Sequence, residues 1–175
     1  MIKELGYNAK NLLIDLINTP SFSGEEDQTA FIIENFLKDQ GVKFKRETHN
    51  IWAVNKHFDA SKPNILLNSH HDTVRPNKGY TRDPHKAEVI DGKIYGLGSN
   101  DAGGCLVSLI ATFIHFYKQE DLKYNLILLA SAEEENSGDY GIRSMVPIMP
   151  EIDFAIIGEP TLMNLAIAEK GLLVL

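Results

Sequence analysis

Three apolar runs constrain this chain more than any other feature: "NILLNS" at residues 64–69, "NLILLAS" at 125–131 and "DFAIIG" at 153–158. Runs that are largely apolar, rather than apolar at every second position, belong to strands covered on both faces, the usual situation of parallel strands. The segments between them read as helices. Residues 102–118, "AGGCLVSLIATFIHFYK", are strongly apolar, and "GDYGIRSMVPIM" makes a shorter helix before the third run. Strand, helix and strand in this order predict an α/β fold with a mostly parallel central sheet, helices on both faces and right-handed crossovers.

Upstream, residues 3–18 place Leu5, Leu12, Leu13, Leu16 and Ile17 near helical spacing, and Pro20 cannot continue the run. A second helix is expected after "SFSGEE". Ser23 is its candidate cap, Glu26 stands at the capping-box position, and Phe31, Ile32, Phe36 and Leu37 form the expected buried face before Gly41. "VKFKRE" and "NIWAVNKHF" follow as strand candidates. A chain of 175 residues, 43% hydrophobic and without internal repeats, suits one domain with a substantial core.

Several classes of function are disfavoured. No stretch of about eighteen apolar residues occurs, and the charged start "MIKELGYNAK" does not resemble a secretion signal, so a cytoplasmic protein without a membrane anchor is expected. The net charge is −7 and no basic cluster could track a phosphate backbone, so nucleic acid is not an expected partner. Cys105 is the single cysteine, which rules out an intrachain disulfide; it reads as a small apolar side chain in a helix.

The chemistry gathers where the apolar runs stop. The first ends in His70, His71 and Asp72, the second is followed by Glu133, Glu134 and Glu135, and the third by Glu159. Ligands of open α/β sheets bind beyond the carboxyl ends of the strands, so these residues can meet in space. Asp101 follows "YGLGSN" at the expected start of the apolar helix, where a carboxylate is favoured. Taken singly, each is an ordinary loop or cap residue. Together, so many carboxylates around imidazole would repel one another unless a cation sat among them. Mixed His/Asp/Glu donors without thiolate suit zinc, cobalt or manganese, and two such ions about 3.5–4 Å apart can share a carboxylate. In His70-x-Asp72 both side chains point to the same side of an extended chain, so Asp72 can orient the ring, while His71 points away.

The chain resembles the M20 metallopeptidase and deacylase family through "NTPSFSGEE", "SHHDTV", "KGYTRDPHKAEVIDGKIYGLGSNDAGG", "ASAEEENSG", "IGEPT" and "AEKG". The "GYTRDPH…DGKIYGLGSND" segment is most similar to the acetylornithine deacetylase branch. That resemblance implies a zinc-exopeptidase-like catalytic domain with two divalent metal ions. His70 and Glu159 would hold the first ion, Asp101 would bridge, Glu135 would bind the second, Asp72 would orient His70 and Glu134 would be the general base. A register slip of one would bring in Glu133 instead.

The implied reaction is metal-assisted hydrolysis of the amide bond of an N-acyl amino acid, with N-acetylornithine in arginine biosynthesis the expected substrate. A dipeptidase or aminoacylase of the same family, or a non-catalytic metal-binding domain, are the alternatives. Leu97 and Gly103 depart from the arginine and lysine of many members, and Arg75 is an added residue with either a surface or a substrate role. Family members are roughly twice as long and usually dimerise through an inserted lid domain. Residues 1–163 are therefore expected to be the N-terminal portion of the catalytic domain and 164–175 the start of the connection to that lid. A fragment of this kind would have an incomplete second metal site and little activity of its own.

Overall fold

The structure is a computed structural model and describes residues 2–167. Helix α1 spans Ile2–Ile17 and α2 spans Asp27–Asp39. Strands β1 (Lys45–Glu47), β2 (Asn50–Val54) and β3 (Asn64–His70) follow, then a small hairpin of β4 (Glu88–Ile90) and β5 (Lys93–Tyr95). A π-type turn at Ser99–Gly103 leads into α3 (Gly104–Phe116), β6 (Asn125–Ser131), the single-turn α4 (Ile142–Met145) and β7 (Phe154–Ile157).

The main sheet has the order β1-β2-β6-β3-β7. Strand β3 pairs in parallel with β6 on one side and β7 on the other, while β2 is antiparallel to both β6 and β1. Four of the five strands therefore run the same way, as the apolar runs predict. The chain leaves β3, returns beside it as β6, and later crosses to its opposite side as β7. That reversal opens a crevice at the carboxyl end of β3, where α/β sheets place their ligands.

One face of the sheet carries the main core, in which Leu12, Leu16, Ile33, Leu37, Leu106, Ile110 and Phe113 pack on Ile51, Leu67 and Leu128. The other face has a smaller core in which Met145 and Met149 pack with Trp52, Leu66, Ile127 and Leu129. Ile110 has no solvent exposure. Shortening it to valine removes one methylene from a close-packed site and is expected to lower unfolding free energy by about 1 kcal/mol, read from urea midpoints.

Four sequence expectations change. Ser23 does not cap α2, and no side chain does; its hydroxyl instead reaches Asp72. The buried face of α2 is Thr29, Ala30, Ile33 and Leu37, because the 3.6-residue phase set by Ile33 and Leu37 leaves Phe31 outside, 55% exposed. The apolar helix begins at Gly104, since Asp101 has extended backbone angles (φ −118°, ψ 100°), so that Asp101 precedes the helix and does not open it. Finally, β7 is exposed at all four positions: it is an edge strand, paired with β3 alone among the described residues. The expected connection at 164–175 lies mostly outside the described residues, as does "AEKG". Among the described residues, no helix is long and apolar enough to cross a membrane.

Candidate metal centre

His70 is the last residue of β3, and its side chain has no solvent exposure. Its Nδ1 lies 3.0 Å from the Asp72 main-chain oxygen and 3.3 Å from Asp72 Oδ1. Both are acceptors, so Nδ1 carries a proton and Nε2 is the free position of the neutral ring. The Nδ1 edge of the ring is thus held by Asp72, through its carbonyl as well as its carboxylate. Nε2 faces Asp101 Oδ1 at 3.2 Å and Glu134 Oε2 and Glu159 Oε1 at 3.9 Å each.

Each carboxylate has a structural reason to be there. Asp101 sits in the extended link of the π-type turn. Gly103 is required by space: a Cβ there would lie 2.6 Å from Gly98 O and 2.8 Å from Leu13 Cδ1. Leu97, in place of arginine, is buried. Glu159 follows Gly158, which lets the end of β7 approach α3; a Cβ would meet Leu109 Cδ1 at 2.9 Å and Cys105 Cβ at 3.0 Å. Cys105 is a packing neighbour there, and burial first, then Glu159 and Asp101, push its thiol up and keep it protonated.

Glu134 and Glu135 owe their position to buried side chains from elsewhere. Four consecutive amides after β6 are held in turn: Ala132 N–H by Asn50 Oδ1 (3.0 Å), Glu133 N–H by Glu26 Oε1 (3.1 Å), and Glu134 and Glu135 N–H by the two oxygens of Asp72 (3.1 Å each). Ser23 Oγ donates to Asp72 Oδ2 at 2.7 Å. Burial opposes ionisation of Asp72, but the hydrogen bond from His70, and after it those from Ser23 and the Glu134 and Glu135 amides, outweigh it and hold the carboxyl below its usual range. The Glu133 side chain turns back to accept Tyr140 N–H at 3.0 Å, so the alternative register finds its carboxylate engaged in its own loop.

Glu26, Ser23, Asn50, His49 and His71 are parts of this site that sequence reasoning did not assign. His71 is fully enclosed; its Nε2–H donates to His49 O (3.0 Å) and its Nδ1 accepts the Thr29 hydroxyl (2.9 Å). Burial pushes its pKa down to about 4. The ring stays neutral in the fold while the unfolded chain takes up a proton near pH 6.5. Its contribution to stability is therefore complete above pH 6.5 and is lost as pH falls toward 4, by at most on the order of 3 kcal/mol. Urea midpoints measured across pH 4–7 should decline less steeply in His71→Asn than in the parent chain.

The electrostatics invite a cation. Burial disfavours a charged His70, but Asp72, Glu159 and Glu134 overcome it and raise its pKa to about 9. Glu159 is pushed up by burial and by Glu134, Asp101 and Glu135, against the pull of His70; Glu135 is pushed up by burial and then by Asp101. Protons are held where a metal ion would relieve the same repulsion. Among the described residues, His70, Asp101 and Glu159 form the one set of three side chains whose donor atoms lie within 4.8 Å of one another. One imidazole nitrogen and two carboxylate oxygens suit zinc or a similar divalent ion. Glu135 lies outside that set and is coupled to it through the charge of Asp101.

Known proteins are similar to this chain in sequence and fold. The chain is 32% identical over 161 residues to the succinyl-diaminopimelate desuccinylase of Rickettsia bellii, covering 85% of this chain and 41% of that one. It is 31% identical over 168 residues to the Rickettsia felis protein of the same name, covering 86% and 43%. The chain thus spans about two fifths of the length of these curated relatives. Among solved structures, the M20 family metallo-carboxypeptidase Sso-CP2 of Sulfolobus solfataricus matches with a TM-score of 0.69 and 25% identity, over 86% of this chain and 37% of that one. The dipeptidase Dug1p of Saccharomyces cerevisiae matches in fold with a TM-score of 0.70 at 20% identity, over 90% and 39%. The family model described as peptidase family M20/M25/M40 matches residues 66–170, a span that contains His70, Asp72, Asp101, Glu134, Glu135 and Glu159, and the chain belongs to that family.

Proposed function

We propose that this chain carries the metal-binding and proton-transfer groups of a hydrolase that cleaves the amide bond of an N-acyl amino acid. The observation that carries the reading is Glu134. Its carboxylate is half exposed and lies 3.9 Å from the same His70 Nε2 that faces Asp101 and Glu159. A carboxylate beside a metal-binding set, free to meet solvent, is suited to take a proton from water and return it to a leaving amine.

His70, Asp101 and Glu159 would hold the first ion, and Asp101 with Glu135 would face a second. A divalent ion there supplies a Lewis acid that polarises the amide carbonyl and makes water more acidic. Asp72 keeps the His70 Nε2 lone pair directed at the cluster and, through two N–H groups, fixes the backbone of Glu134 and Glu135. Glu134 Oε2 accepts the water proton and delivers it to the departing nitrogen.

The "GYTRDPH" segment favours an acetylated substrate such as N-acetylornithine, whereas the names of the relatives favour a succinylated diamino acid. Amine release from N-acetylornithine, N-succinyl-diaminopimelate and a set of dipeptides, measured with zinc and after chelation, separates these. Zinc-dependent release from an N-acyl amino acid is expected. Release from dipeptides alone would make the protein a dipeptidase, and saturable zinc binding without release from any of them, by this chain and by a longer chain that contains it, would leave a metal-binding domain.

A further inference from the structure

Among the described residues the half-exposed Glu134 carboxylate makes no hydrogen bond and has only His70 Nε2 near it at 3.9 Å, so its direction follows its backbone. The residue before it, Glu133, has φ +52°, the left-handed region that side-chain-bearing residues seldom adopt. Glu26 braces that conformation from across the fold. It is fully buried, its Oε1 accepts the Glu133 N–H at 3.1 Å and the Gly24 N–H at 2.8 Å, and its Oε2 lies 2.7 Å from His49 Nδ1. A buried carboxylate is costly unless its oxygens are all used, and here they are used on the loop that carries Glu134.

We infer that Glu26 is a positioning residue: by holding the Glu133 N–H, with His49 fixing its second oxygen, it sets where the Glu134 carboxylate points. The inference rests on Glu134 having the proton-transfer role proposed above. Asp72 also holds this loop, but it orients His70 as well, so its loss would disturb ligand and base together. Glu26 acts on the loop and makes no hydrogen bond to His70, Asp101 or Glu159 among the described residues. Its removal should separate the two functions.

The test compares the parent chain with Glu26→Ala and Glu26→Gln by native-state amide exchange, zinc titration and steady-state kinetics. In Glu26→Ala, exchange at residues 133–135 should accelerate about tenfold more than in β3, which serves as an internal reference for global stability. Zinc affinity should stay within about threefold, and kcat should fall at least about tenfold with KM nearly unchanged. Glu26→Gln keeps one acceptor oxygen and should recover most of both losses; should the alanine variant fail to fold, a smaller selective acceleration in Glu26→Gln is the expected result. Equal acceleration in the loop and in β3 would overturn the inference, as would a loss of zinc affinity matching the loss of kcat. Zinc binding without hydrolysis, by this chain and by a longer chain that contains it, would sink the hydrolase reading, while the exchange comparison would still decide whether Glu26 sets the loop.

Discussion

Replacing Glu134 by glutamine is expected to lower kcat by about 10²–10⁴ while zinc affinity stays within about threefold. Glutamine matches glutamate in shape, so the loop and its four held amides have no reason to move. What is lost is the ability to accept a proton at Oε2, and with it the route from water to the leaving amine. Metal binding should survive because the three-donor set is His70, Asp101 and Glu159. The comparison is made in whichever form of the protein turns over an N-acyl amino acid, this chain alone or within a longer one. Turnover that persists in Glu134→Gln would remove the base from the mechanism. Zinc affinity that falls in parallel would make Glu134 a ligand.

Much of this site is visible in the sequence because chemistry follows strand ends. An α/β order places the residues after parallel strands in one crevice, so His70, Glu134, Glu135 and Glu159 can be grouped from sequence alone, although the first and last stand 89 positions apart. Asp101 is grouped with them too, but its place is explained by an extended backbone and not by a helix start. The framework behind the site is far less legible. Glu26 and Ser23 lie in "SFSGEE", where local spacing reads as a helix cap; only tertiary contact assigns Ser23 to Asp72 and Glu26 to Glu133. Such long-range hydrogen bonds leave no periodic signal. A Ser-x-x-Glu pattern serves a cap and a buried brace equally well.

The fold divides in the same way. The runs at β3 and β6 are buried as their composition requires, whereas the equally apolar β7 is exposed because burial depends on what lies beside a strand as well as on its residues. The hairpin of β4 and β5 was within reach of sequence reasoning: "VIDGKIY" carries an Asp-Gly turn between short strand-forming segments, the strongest local signal for such a hairpin. In α4 the local signal exceeds the structure: "GDYGIRSMVPIM" has helical composition but folds as a single turn, ended near Pro147.

His70→Ala is expected to weaken zinc binding by at least about a hundredfold in calorimetric titration, with Asp72→Asn weakening it about 10–100-fold. The imidazole is the sole nitrogen donor in the three-donor set, and the two carboxylates that remain would face each other without a positive partner. The consequence should be visible without any metal. In the metal-free chain, the raised His70 pKa of about 9 gives a stabilising contribution that is present below pH 6.5 and lost as pH rises toward 9. The alanine variant should lose that alkaline decline. Added zinc should suppress it in the parent chain, because the ion takes over the charge that the proton supplied. Zinc binding that is indifferent to His70 would place the ion elsewhere, and the strand-end cluster would then be a partly exposed polar network around a buried imidazole, without a role as a metal centre.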